Sequence, residues 1–243
     1  MRFLKQSSTI GEENITFNMS IYTFKPDRYS SHMKIIRYLN KINTKRIKIL
    51  DIGCSKGFIG KALSKKHDFY GIEARKEDIK DAKKYYKEVK IINIDYKKPH
   101  YPNNFFDVII MADVIEHLKS PLGTILYFKK FLKNNGLIIL SVPNIANVYV
   151  RLKLLFGYFE YEDRGILDRT HLKFFTLKSF RAIVRNAGLI TEKEEFTPIP
   201  LPTMNPVFSQ SRLLNLVHQI DYLLALLWKT MFSFQFIAYC RKI

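Results

Sequence analysis

Cysteine is nearly absent from this chain of 243 residues: the 2 present, Cys54 and Cys240, are far apart and not spaced as metal ligands. That usage argues against a disulfide scaffold and fits a reducing cytosol. Acidic residues are also scarce, 22 Asp and Glu against 40 Lys and Arg, for a formal net charge of +18. The excess predicts attraction to an anionic partner (nucleic acid, a phosphorylated substrate or an acidic lipid surface), or a heavy use of lysine on solvated faces. No stretch supplies the about 20 continuous apolar residues of a spanning helix. The nearest, residues 213–239, is interrupted by His218, Asp221 and Lys229. The start, Met1-Arg2-Phe3-Leu4-Lys5-Gln6, turns polar too soon for a secretory signal. No internal repeat is present. The Gly-x-Gly-x-x-Gly turn of nicotinamide and flavin sites is missing, as is the Gly-x-x-x-x-Gly-Lys-Ser/Thr loop for a nucleoside triphosphate.

What is there is a hydrophobic fraction of 47%, enough for one sizeable α/β domain with a real core. Strand-like runs at 47–52, 69–73, 89–94, 105–111 and 136–142 alternate with helical patterns at 58–66, 76–87 and 121–132. Short β-rich runs separated by helices predict a parallel, doubly wound sheet. Beyond Pro143 come a helix over 146–156, an aromatic and acidic stretch without a period, and a helix capped by Thr176 and closed by Gly188. A strand over 189–196, a proline loop, a helix over 211–231 and a last strand over 234–240 follow. A helix from Arg28 through Met33, Ile36 and Leu39 is placed over the ligand site. The chain thus divides into an N-terminal extension and helix (1–45), a core (46–195), an insertion (196–233) and a final strand (234–243).

The most informative segment is Leu50-Asp51-Ile52-Gly53-Cys54-Ser55-Lys56-Gly57, a strand end that turns through Asp-x-Gly-x-x-x-Gly into a helix. Gly53 can take backbone angles closed to other residues, and Gly57 opens a helix whose free amides favour electron-rich groups. Carboxylates are expected at three successive strand ends, Asp51, Glu73 and Asp95, where ligands bind in open α/β sheets. Glu73, about 20 residues past the turn, is placed to grip a ribose diol. Tyr96 is placed to contact an adenine ring. As a set these motifs resemble the class I S-adenosylmethionine-dependent methyltransferases, with Ser55 in place of a middle glycine. Phe105-Phe106-Asp107-Val108-Ile109-Ile110-Met111 matches their fourth-strand motif, and Leu132-Lys133-Asn134-Asn135-Gly136-Leu137 the approach to the fifth. The resemblance covers residues 45–195 and the final strand. It implies a Rossmann-like, seven-stranded, mostly parallel sheet with helices on both faces and an antiparallel last strand between the fifth and sixth. It also implies S-adenosylmethionine as cofactor, held by Asp51, Gly53, Cys54, Ser55, Gly57, Glu73, Asp95, Tyr96 and Ala112.

Asp113-Val114-Ile115-Glu116-His117 follows the fourth strand directly. On one helical turn Asp113 would face the same side as Glu116 and His117. Two carboxylates and an imidazole suit Mg²⁺, Mn²⁺, Fe²⁺ or Zn²⁺, and His171 is a further candidate ligand. Without a metal, His117 or His171 suits a general base near neutral pH; a purely structural role is the third reading. The pattern resembles the ubiquinone-type O-methyltransferases, which carry acidic-x-x-Glu-His here. It also resembles the small-RNA 3′-terminal 2′-O-methyltransferases, which carry Glu-x-x-Glu-His and a later His followed by Lys-Phe. Both act on neighbouring hydroxyls, so the resemblance implies O-methylation of a hydroxylated small molecule, glycan or lipid-linked precursor.

Two alternatives stand beside that reading: metal-dependent methylation of an RNA ribose, and a non-catalytic cofactor-fold protein in a membrane-associated complex. Against RNA, the basic residues are spread along the chain and form no recognisable binding module. Arg164, Arg169 and Lys173 either hold a phosphate at the substrate mouth or are solvated loop charges. The amphipathic stretch 211–232 either packs on the core, pairs with a second copy in a homodimer, or makes a peripheral membrane contact. The expected location is cytoplasmic, at the inner face of the membrane in the last case.

Overall fold

The computed structural model describes residues 27–42, 45–204 and 212–242. The N-terminal extension 1–26 lies outside the described residues. Seven strands form one sheet: β1 (Lys48–Ile52), β2 (Asp68–Glu73), β3 (Glu88–Ile91), β4 (Phe106–Ala112), β5 (Leu132–Pro143), β6 (Leu189–Thr197) and β7 (Gln235–Lys242). Their order is β3-β2-β1-β4-β5-β7-β6. β1 to β5 pair in parallel, and β7 runs antiparallel between β5 and β6. The Rossmann-like architecture drawn from the motifs is what the chain adopts.

Alternation along the strands sends Ile49, Val108, Ile110 and Ile139 into one layer and Leu50, Ile52, Ile109, Met111 and Ile138 into the other. Each buried side chain of this size contributes about 1.5–3 kcal/mol. The first layer is covered by α1 (Ser31–Ile42) and α2 (Phe58–Leu63), through Ile35, Leu39, Ile59 and Leu63. The second is covered by α4 (Pro121–Lys129) and α6 (Leu177–Asn186), through Ile125, Phe128, Phe180 and Val184. The first turn of α1 reaches the predicted ligand turn, where the His32 ring meets Phe58 edge-on. Thr176 caps α6 in a reciprocal capping box with Ser179, and Gly188 follows in the left-handed region at φ 61°. Because β1 is flanked by β2 on one side and β4 on the other, the strand order reverses there. The crevice outside the carboxyl ends of β1 and β4 is the ligand position of such sheets.

Four predicted bounds are corrected. The helix expected over 76–87 is only α3 (Ile79–Ala82); the chain leaves it so that Tyr86 can drop beneath β1. β3 ends at Ile91, so Asp95 lies in the turn that follows and not at a strand end. Its amide donates to the Asn93 side chain at 3.0 Å. β5 begins at Leu132, which pairs with Phe106 and so ends the preceding helix early. The helix expected over 211–231 is broken at Trp228 into α8 (Arg212–Leu227) and α9 (Lys229–Phe232). Between β5 and α6 lies α5 (Val148–Leu155), and after β6 a short α7 (Leu201–Met204).

Candidate active site

After β1 the chain passes through Gly53 at φ 72°, Ser55 at φ 44° and Gly57 at φ 75°, all left-handed. A β-carbon on Gly53 would stand 2.6 Å from Val114 Cγ2, and one on Gly57 would stand 2.7 Å from Ala82 Cα. Both glycines therefore serve close approach as well as backbone conformation. The Gly53 and Cys54 amides donate to Ile72 O, lacing the turn to β2. Glu73, the last residue of β2 and 8% exposed, gathers the neighbouring amides. One carboxylate oxygen accepts from Ser55 N at 2.9 Å; the other accepts from Ala74 N at 2.8 Å and Arg75 N at 3.1 Å. The buried Ser55 hydroxyl has no partner among the described residues.

On the other side of the crevice, Glu116 and His117 lie on a single 3₁₀ turn after β4, and His171 comes from the loop before α6. Ligand atoms of these three residues lie within 4.8 Å of one another. Glu116 is fully buried, and among the described residues neither of its carboxyl oxygens has a hydrogen-bond partner. Burial first, then the charge of Asp113, holds its pKa well above the ordinary carboxylate range. Its carbonyl accepts from Leu172 N and Lys173 N, both at 2.9 Å, which fixes the His171 loop against the turn. His171 Nδ1 donates to Ile166 O at 3.0 Å, and His117 Nδ1 lies 3.2 Å from Thr170 O. Thr170 Oγ1, which donates to Asp168 at 2.6 Å, also accepts from His117 Nδ1 at 3.1 Å. A carbonyl only accepts, so each neutral ring carries its hydrogen on Nδ1 and keeps the Nε2 lone pair. The two rings stand 4.7 Å apart at 63°. Burial, then the neighbouring His117, lowers the His171 pKa.

A family described as "Methyltransferase domain" matches residues 25–194. The chain belongs to this methyltransferase family. Ubiquinone biosynthesis O-methyltransferase of Rickettsia canadensis is 32% identical over 116 residues, 46% of this chain and 48% of that protein. The protein of the same name from Pelagibacter ubique is 34% identical over 105 residues, 41% of this chain and 43% of its own. The chain thus matches about half the length of these curated relatives. In fold it is similar to a SAM-dependent methyltransferase from Archaeoglobus fulgidus, with a TM-score of 0.58 and 18% identity over 87% of this chain and 92% of that one. The resemblance to S-adenosylmethionine-dependent methyltransferases drawn from the motifs is borne out.

The residues of this methyltransferase fit an adenosine-type cofactor at the glycine turn. Glu73 stands at the strand end with its carboxylate beside the Ser55 amide, and Ala112 ends β4, half-buried, next to the end of β1. Cys54 departs from expectation in its side chain, which points into the core against Gly71 and is 4% exposed; burial pushes the thiol pKa up. Asp95 and Tyr96 are joined to the segment after the metal-type motif. Lys119 N donates to Asp95 at 3.1 Å, and Lys119 Nζ donates to the Tyr96 hydroxyl at 3.2 Å. The Tyr96 ring, 77% exposed, is the flat apolar surface on this side.

Asp113 is the clearest correction. It sits in a left-handed turn at φ 55°, not on a helix, so the i, i+3 alignment with Glu116 never forms. Its two carboxylate oxygens are taken by Ser141 Oγ at 2.6 Å and Gln235 Nε2 at 2.7 Å. It braces β4 against β5 and β7 and stands outside the cluster of Glu116, His117 and His171. Arg169 is likewise committed, to Asp163 at 2.6 Å.

Sequence reasoning missed the role of Tyr86, whose hydroxyl donates to Asp51 at 2.5 Å beneath the turn. Its ring fills the slot left by Gly57, Gly60 and Gly71, where any β-carbon would collide. Those three glycines were the available signal. Burial raises the Asp51 pKa to about 7; the Tyr86 hydrogen bond opposes the shift and the nearby Glu73 adds to it. The folded pKa thus lies above the unfolded one, of about 3.9. The site's stability contribution is full below pH about 4 and is lost as pH rises through about 7. Asp51→Asn in the cofactor-free protein should remove this dependence. Its stability relative to the natural chain should rise from pH 4.5 to 8 by an amount on the order of 3 kcal/mol, read from denaturant melts at both pH values. A constant difference would place the Asp51 proton elsewhere.

Proposed function

We propose that this protein transfers a methyl group from S-adenosylmethionine to a hydroxyl oxygen of a small molecule, glycan or lipid-linked precursor, with Mg²⁺ or Mn²⁺ held by Glu116, His117 and His171. What carries the reading is the Glu116 carboxyl, buried with both oxygens unpartnered beside two imidazoles. A buried polar group left unsatisfied costs about 1–3 kcal/mol. One carboxylate with two imidazole nitrogens is a donor set for a divalent cation, which would offset that cost.

The sulfonium cofactor, when bound, supplies a methyl group already activated for transfer. The protein's share is to align the acceptor oxygen and take its proton. Glu73 and the glycine turn hold the adenosine end, while Glu116, His117 and His171 face the acceptor. A cation at these three side chains would lower the pKa of a hydroxyl bound to it. The Nδ1 contacts to Thr170 and Ile166 fix both rings and leave both Nε2 lone pairs for the cation, while burial favours the neutral, ligating form of His171.

The test is methyl transfer to catechol-type, glycan and ribonucleoside acceptors with a chelator and with added Mg²⁺ or Mn²⁺. Turnover should be lost in chelator and restored by either ion. Full turnover in chelator would remove the cation and leave the histidines as proton acceptors. Transfer to ribonucleosides alone would move the acceptor to RNA.

A further inference from the structure

α8 is amphipathic, and it is mounted with its polar side inward. His218, 4% exposed, meets Asp27 at 3.1 Å, and Asp221 accepts from Ile199 N at 2.8 Å. The Tyr222 hydroxyl accepts from Lys34 at 3.1 Å, while Tyr29 stacks on the Tyr222 ring at 4.2 Å. These contacts explain the polar residues that interrupt the apolar stretch: they fasten the helix to the body of the protein. The opposite face carries Leu213, Leu216, Ile220, Leu223, Leu227 and Trp228 at helical spacing, with Leu227 83% exposed and Trp228 57%. A contiguous exposed apolar stripe of this kind marks an interaction surface. No helix among the described residues is long and apolar enough to cross a membrane.

We infer that α8 docks by this outward face on an anionic lipid surface. Charge favours lipid over a second copy. The chain carries +18 and Arg212 opens the helix, while Lys229 follows Trp228 with its ammonium over the Phe196 ring at 4.9 Å, so one cation stands at the start of the apolar face and another behind its end. An amphipathic helix lies in the interface by combining buried apolar area with attraction to anionic headgroups. A tryptophan at its end suits the headgroup level. The position has a consequence for the reaction. α8 and α9 lead into β7, whose first residue, Gln235, holds Asp113 beside the candidate site. Asn144 and Asn147, just past the carboxyl end of β5, donate to Ser233 O at 2.8 and 3.0 Å. The docking helix is therefore tied to the same sheet edge as the crevice, which suits an acceptor presented at a bilayer surface. The docking itself does not depend on the methyl-transfer reading.

Trp228 is the only tryptophan in the chain, so its emission reports on this face alone. With the 243-residue chain, vesicles containing phosphatidylglycerol should shift the emission to the blue, and brominated lipid should quench it. Phosphatidylcholine vesicles or high salt should weaken both effects. Leu216→Asp with Leu223→Asp should lower vesicle partition by about tenfold or more, with an unchanged melting temperature because both side chains point outward. Absence of a shift with either vesicle would overturn the proposal. So would a blue shift that grows with protein concentration without lipid, together with dimer sedimentation, which would assign the face to a second copy. An emission already blue in a monomer, and unmoved by vesicles, would show the chain's own residues covering it.

Discussion

Replacing Glu73 by alanine should weaken binding of S-adenosylmethionine, or of its demethylated product, by about a hundredfold or more in calorimetry, equivalent to about 3 kcal/mol. The side chain is a single carboxylate that three amides converge on, from Ser55, Ala74 and Arg75. Each amide left without its acceptor in a buried place carries a penalty of about 1–3 kcal/mol. The loss falls on the shape of the turn as well as on the proposed hold on the ribose. Glu73→Gln is the informative companion. It keeps one oxygen for either Ser55 or the Ala74–Arg75 pair, but sets an NH₂ against the other donor, so an affinity loss of about tenfold is expected. The β2 core residues Phe69 and Ile72 are untouched, so both variants should retain the fold by circular dichroism. Near-normal affinity in the alanine variant would mean that the cofactor is held elsewhere.

How much of this was legible follows from the range of each interaction. The sheet was readable because its strands are short apolar runs between helical patterns, and the switch point follows from the resemblance. Gly53, Gly57 and Glu73 were readable because the turn and the next strand end stand at a fixed distance along the chain. Asp113 was misread because its placement depends on partners 28 and 122 residues away, Ser141 and Gln235. No local spacing reports those, and a left-handed residue cancels the helical geometry assumed for it. Tyr86 was placed in a helix by periodicity, whereas its hydrogen bond to Asp51 and the slot between three glycines decide its position. The direction of α8 was hidden for a related reason. An amphipathic pattern gives two faces, and only the contacts of His218 and Tyr222 with residues near position 30 show which one is inward.

Glu116→Leu should separate stability from function. Activity should fall by more than about a hundredfold, on the order of 3 kcal/mol of transition-state stabilisation. The metal-free protein should become no less stable, and by up to about 1–2 kcal/mol more so, because an unpartnered buried carboxyl is replaced by an apolar side chain of similar volume. For a chain of this size that is a rise of about 2–8 °C in melting temperature. Burial and Asp113 keep Glu116 in its neutral form without a cation, so a bound ion has to displace the proton. In the natural protein, Mg²⁺ or Mn²⁺ at about a hundred times its dissociation constant should add about 2.7 kcal/mol of stability; in the leucine variant that increment should vanish. A variant that melts lower in chelator yet keeps the full metal increment would show that Glu116 is a structural group and that the cation binds elsewhere. Retention of the increment with loss of activity in His117→Ala and His171→Ala would point to the same conclusion from the other side of the cluster.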